Sequence, residues 1–138
     1  MNACPAGLRY HWRPMNQVLA IAGGGALGAL LRYWVSSGIY TLAGRDFPYG
    51  TLVVNVFGSL AMGFLYIWLL ERVPGSVATR AFLLIGLLGA FTTFSTFSVE
   101  TLNLVEAGQV GRAVLNMLLS VVLCVGAAAL GIMLARQI

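Results

Sequence analysis

Lysine is missing from this 138-residue chain, and charge of either sign is scarce: eight arginines, four acids and one histidine. At 9% charged, against about 25% in an ordinary soluble domain, the chain has too little charged surface to stay dispersed in water. The scarcity removes whole classes of function. His11 stands alone, and Asp46, Glu71, Glu100 and Glu106 are dispersed, so the sequence offers no nucleophile–base pair and no histidine cluster for enzyme chemistry. Cys4 lies in the N-terminal tail and Cys124 deep in the last apolar run, with no metal-ligand spacing, and neither a disulfide nor a metal site is expected. The arginines are scattered singly, leaving no basic stripe to follow phosphates, which excludes nucleic acid as a partner.

What the chain has instead is hydrocarbon. It is 59% hydrophobic with a mean hydropathy of +0.90. Four apolar runs, about 17–40, 50–70, 81–105 and 111–134, each reach the roughly 20 residues that a membrane-crossing helix needs. The expected fold class is an all-α membrane protein, with residues 1–138 forming a single four-helix membrane domain. Arg9 and Arg13 ahead of Ala20-Ile21-Ala22 imitate a signal peptide, but too few apolar residues precede that cleavage-like triplet, so the first span is expected to be retained. With four spans, Arg9, Arg13, Arg72, Arg80 and Arg136 share one side, against Arg32, Arg45 and Arg112 on the other. Five against three is a weak bias towards cytoplasmic termini, too small to exclude insertion in both directions.

In the first span, Gly23-x-Gly25-x-x-Gly28 followed by Asp46 spells a dinucleotide-binding fingerprint. That motif needs a preceding strand and alternating βα units, and here it lies inside one apolar run. Gly24-x-x-x-Gly28 is read instead as a small-residue surface that lets another helix approach closely in lipid. Arg32, followed by Tyr33 and Trp34, allows two readings: an arginine anchored among headgroups beside an aromatic belt, or a positive charge at the mouth of an anion path.

Polar residues recur within the other spans at helical spacing. Thr51, Asn55 and Ser59 lie at i, i+4 and i+8 on the second, and Asn116, Ser120 and Cys124 repeat that spacing on the fourth. Such stripes find no partner in acyl chains and must face protein or water. The third span carries GAFTTFSTFSVE, residues 89–100, where five hydroxyls and three phenylalanines crowd between a glycine and a glutamate. Gly86, Gly89 and a succession of hydroxyl and β-branched residues make a poor helix interior, so a break is expected near residues 89–93, close to the bilayer centre. Carbonyls freed there need a partner, and a buried cation is one that fits. Beyond the break, Phe94 and Phe97 share one face, as do Ser95 and Ser98; Glu100 is the one acid within an apolar span.

Hydroxyls, amide N–H groups and the positive edges of phenylalanine rings are mostly hydrogen-bond donors. Donors without an acid or base at mid-membrane suit a passive path for an anion better than a cation path or a proton-coupled transporter. Four short helices cannot enclose a pore and satisfy their own packing, which points to a homo-oligomer, by default a two-fold dimer.

Three stretches together carry a family likeness: Gly24 to Tyr33, Gly50-Thr51-Leu52-Val53-Val54-Asn55-Val56-Phe57-Gly58-Ser59, and Gly89 to Glu100. The chain resembles the bacterial Fluc (CrcB-type) fluoride channels over essentially its whole length, most specifically through Thr92 to Ser98. The resemblance implies a fluoride-selective channel of the bacterial inner membrane that exports F⁻ passively and protects the cell from its toxicity. It further implies an antiparallel, dual-topology homodimer with two pores at its interface. Phe94 and Phe97 then match the phenylalanine box, and Asn55 the accompanying amide. Ser95, Thr96 and Ser98 match the hydroxyl track, with Asn116 and Ser120 as its counterpart on the fourth span. Arg32 matches the vestibule arginine and Glu100 the acid after the track. A central structural Na⁺, shared between subunits, would be held by the backbone carbonyls of Gly89 and Thr92. Two alternatives fit the sequence less well. A small multidrug-type transporter needs an acid in its first helix, and residues 18–39 hold none; a non-transporting assembly protein would not need three aligned polar faces.

Overall fold

A computed structural model describes residues 15–71 and 77–138, and every regular element among them is helical. Cys4, Arg9, His11, Arg13 and Arg72 lie outside the described residues. Helices α1 (Met15–Ala43) and α2 (Tyr49–Glu71) are continuous. The third span is assembled from pieces: α3 (Val77–Arg80), a wider π-helical segment (Ala81–Leu88), α4 (Gly89–Phe91) and, after a break, α5 (Phe94–Glu106). Helix α6 (Val110–Gln137) completes the bundle. The four spans run 29, 23, 30 and 28 residues; at about 1.5 Å per residue even the shortest exceeds a hydrocarbon core of about 30 Å. Long, apolar and repeated, they make this a multi-pass membrane protein.

The turns at one end follow from glycine. Gly44 (φ 79°) and Gly108 (φ 73°) take left-handed backbone that a side chain would strain. After α5, the Gln109 N–H reaches the Leu104 carbonyl at 2.8 Å and the Gly108 N–H reaches that of Val105 at 2.9 Å, the paired closure of a Schellman motif. Arg112 ties the two connections together, donating to the Asp46 carbonyl at 3.2 Å and to Gln109 Oε1 at 2.9 Å.

Packing between spans relies on absent side chains. Gly24 and Gly28 on α1 are buried against the π-helical segment, where a Cβ would strike the Phe82 and Leu87 carbonyls. Gly86 answers from the facing backbone, with the Ile21 carbonyl 2.7 Å from where its own Cβ would sit. A second seam joins α2 to α6, with Gly63 against Ala128 and Gly131 against Leu60 and Phe64. The Gly24-x-x-x-Gly28 pair therefore serves close helix approach, which in lipid replaces the missing hydrophobic drive, whereas Gly25 of the fingerprint-like triplet meets no neighbour.

The break falls at the C-terminal edge of the interval expected for it. Thr92 (φ −78°, ψ 156°) and Thr93 (φ −151°, ψ 116°) are extended, and the helix restarts at Phe94. The wide turn upstream was not expected. AFLLIGLL holds no proline or polar marker to signal it, and it lies where Gly86 and Leu87 meet α1 backbone to backbone.

Candidate functional site

The break is where the site begins, because its freed backbone groups need partners. Asn55, half-buried on α2, supplies them with its single side-chain amide. Nδ2 donates to the Thr93 carbonyl at 2.9 Å, and Oδ1 accepts the Thr93 N–H at 2.8 Å. A continuous helix would have sent that N–H to the Gly89 carbonyl. One residue further, Thr93 Oγ1 caps α5 by accepting the Thr96 N–H at 3.2 Å. That second donor is the one that helical geometry would aim at the Thr92 carbonyl. The carbonyls of Gly89 and Thr92 thus lose their helical donors to Asn55 and Thr93.

Thr93 also joins the neighbouring hydroxyls. Its Oγ1 donates to Thr96 Oγ1 at 3.0 Å and lies 3.3 Å from Ser95 Oγ. Thr92 is fixed from behind: its Oγ1 donates to the Leu88 carbonyl at 3.0 Å, and its methyl occupies the space that a Cβ on Gly58 would need. These contacts make the break a defined piece of backbone.

Two clefts flank α5. The first, about 390 Å³, lies between α2, the break and α6, and is lined by Asn55, Ser59, Thr93, Phe94, Phe97, Ser120 and Cys124. The Phe94 and Phe97 rings meet at 5.3 Å, tilted by 44°. Asn55 has two N–H bonds and commits one to Thr93, leaving the other for the cleft. The second cleft, about 210 Å³, lies on the other side and is lined by Arg32, Tyr33, Ser36, Tyr40, Thr51, Thr93, Thr96 and Glu100. It is the more polar of the two, and Thr93 touches both.

The structure brings Asn55, Phe94, Phe97 and Ser120 to one cleft, and Arg32, Thr96 and Glu100 to the other. Ser95 and Ser98 are exposed beside them, Ser98 bonding back to the Phe94 carbonyl at 2.9 Å. Asn116 goes elsewhere. At 1% exposure it sits in the α5–α6 seam and donates to Thr101 Oγ1 at 2.8 Å, while Thr101 donates to the Phe97 carbonyl at 2.7 Å. Gly89 is exposed and Thr92 half-buried.

Several participants were not singled out in the sequence. Thr93, the hub of the break, is one hydroxyl among five, and nothing in its spacing distinguishes it from Thr92. Tyr40 and Thr101 carry no pattern at all, because their partners lie 60 and 15 residues away. Cys124 has no metal-ligand spacing, and its place in the stripe with Ser120 is the signal for its position on the cleft.

Comparison with known proteins places the chain in a family. The family described as "CrcB-like protein, Camphor Resistance (CrcB)" matches residues 19–132. A Methylococcus capsulatus protein named "Fluoride-specific ion channel FluC" is 55% identical over 121 residues, covering 88% of this chain and 53% of its own length. The chain thus spans about half of that relative. A Coxiella burnetii protein of the same name is 53% identical over 125 residues, covering 90% of this chain and 100% of its own length. One from Magnetococcus marinus, also so named, is 51% identical over 122 residues, 88% and 99% of the two chains. With four apolar spans, a braced break in the third and these relatives along most of its length, the chain belongs to the CrcB-like family.

Proposed function

We propose that this chain is a fluoride-selective channel that lets F⁻ leave the cell passively, working as an antiparallel homodimer with two pores at the subunit interface. The observation that carries the reading is the cleft between α2, the break and α6. It joins an uncommitted amide N–H, the Ser59 and Ser120 hydroxyls and two phenylalanine rings in one mostly apolar wall. Support also comes from the name shared by the relatives that match over their whole length, fluoride-specific ion channel.

Fluoride is small and tightly hydrated, so taking it out of water requires close replacement bonds. Hydroxyls, an amide and positive ring edges supply them in succession, without a full positive charge that would trap the ion. Ser95, Thr96 and Ser98 continue the donors beyond Phe94 and Phe97, Ser120 faces them from α6, and Arg32 and Glu100 lie at the polar side. Chloride is larger, and its weaker hydration leaves less to gain from short donors, so the path favours fluoride by size and donor field together.

The second subunit is needed for an energetic reason. Phe94 is 78% exposed and Ser95, Thr96 and Ser98 are open along the same helix. In a lone subunit these hydroxyls, bonded only within their own segment, would face lipid that offers them no further partner. A partner chain laid across α5 closes each cleft into a conduit. The Gly89 and Thr92 carbonyls, released from helical bonding, fit a hard monovalent cation such as Na⁺. Held between two subunits by such carbonyls, the ion would supply positive charge that ties the breaks together. It is structural, and no step of permeation runs through it.

Reconstitution tests all of this at once. Proteoliposomes loaded with fluoride should release it under an ion-selective electrode, while chloride-loaded vesicles leak far more slowly. Chloride passing as readily as fluoride would overturn the selectivity, and a monomer that conducts would overturn the interface.

A further inference from the structure

Away from the phenylalanine cleft, one tyrosine binds Glu100 of α5 across the bundle. Tyr40 Oη donates to Glu100 Oε1 at 2.6 Å and lies 3.3 Å from Thr51 Oγ1. A phenol has one proton, and here it goes to the carboxylate; Thr51 must therefore be the donor in the second contact. The order is fixed: Thr51 hydroxyl to Tyr40 hydroxyl to Glu100 carboxylate, linking α2, α1 and α5. Glu100 Oε2 is buried with no hydrogen-bond partner, so among the described residues Tyr40 gives the carboxylate its one side-chain donor.

The ring is held as firmly as the hydroxyl. Its edge lies against Gly50, where an added Cβ would stand 2.6 Å from Cε2, and the Arg45 guanidinium lies 5.8 Å from its centroid. Tyr40, Glu100 and Ser36 form the wall shared by two cavities. One is the 210 Å³ cleft that reaches Thr51, Thr93 and Thr96. The other is an outer cavity of about 560 Å³ bounded by Arg45, Asp46, Asn103 and Gln109. An anion going from one to the other passes this wall, and a carboxylate is the worst group for it to meet unscreened.

We infer that Tyr40 is a positioning residue for anion passage: its phenol pins the Glu100 carboxylate to the wall between the outer cavity and the inner cleft. Pinned, the charge is satisfied by a donor and held in one place. Without that donor the carboxylate has no bond to hold it, and it turns into the passage.

The inference rests on the fluoride-channel reading, and the test separates the two. Tyr40→Phe keeps the ring on Gly50 and removes the hydroxyl that donates to Glu100 and accepts from Thr51. In proteoliposomes its fluoride efflux should fall about ten-fold or more, the order set by losing one hydrogen bond to a charged group. Tyr66→Phe, on an exposed α2 position bordering neither cavity, should conduct like the parent chain. In a Glu100→Gln background, Tyr40→Phe should change the remaining efflux less than two-fold (about 0.4 kcal/mol of coupling error at most), because no charge is left to pin. Infrared difference spectra give a second readout independent of flux. The carboxylate stretch that disappears in Glu100→Gln should shift in Tyr40→Phe. Parent-like efflux in Tyr40→Phe, losses that simply add in the double variant, or an unshifted carboxylate band would each overturn the inference. Absent fluoride efflux from the parent protein would instead overturn the channel reading itself.

Discussion

Asn55 holds both backbone polar groups of Thr93 with one side chain, at 2.9 and 2.8 Å, and so does for a broken helix what the next turn would have done. Asn55→Ala strands a donor and an acceptor in a part-buried place, at about 1–3 kcal/mol for each group left unpaired. Its thermal unfolding in detergent should come well below that of the parent. Asn55→Asp keeps the acceptor for the Thr93 N–H but loses the donor and adds a charge at the cleft. It should fold better than the alanine variant and pass no measurable fluoride.

The two phenylalanines carry a prediction of the opposite kind. Phe94 is open on the bundle's surface, so Phe94→Ala removes little packing from within the subunit. Its unfolding temperature should stay near the parent's while fluoride efflux is lost, and Phe97→Ala should likewise abolish efflux with the dimer intact. Efflux surviving both changes would place the path elsewhere.

Asn116 and Ser120 share one face of α6 but should separate cleanly. Removing the Asn116 amide leaves Thr101 without its donor in the α5–α6 seam, so Asn116→Ala should cost roughly 1–3 kcal/mol of stability. Ser120 reaches the phenylalanine cleft, and Ser120→Ala should slow fluoride efflux with unfolding nearly unchanged.

Gly58 tests the break from behind. A methyl there enters the space of the Thr92 side chain and comes within 3.1 Å of the Phe91 ring. Gly58→Ala should destabilise by about 1–3 kcal/mol, as overpacking does. Because it pushes on the residues whose carbonyls fit a cation, it should also weaken any dependence of dimerisation on Na⁺, read by size in Na⁺ and in a larger organic cation.

The four spans were legible in composition because a bilayer admits few solutions: a long run of apolar residues must be a helix. The break was legible for a related reason, since Gly89 and the hydroxyls from Thr92 onward make a costly helix interior. The long-range bonds that shape the site were not. Asn55 stood out as an amide in lipid, but its choice of the Thr93 backbone depends on how α2 crosses the third span, and no spacing within either helix encodes that. Asn116 shows the same limit. Its periodicity placed it with Ser120, whereas one turn along α6 takes that face from the seam with α5 onto the cleft. Tyr40 gave no sign because aromatic residues near a helix end ordinarily belong to the membrane interface.

The glycine seams bear on tolerance. Where Gly24, Gly28, Gly63 and Gly131 meet their neighbours, main chain rests on main chain, with no rotamer in between to yield. Helices spaced by flexible side chains can part slightly when something large pushes through; helices spaced by peptide planes move as one block or stay put. Any gap framed by such a block keeps its calibre, and a guest of the wrong radius finds a gauge that does not stretch.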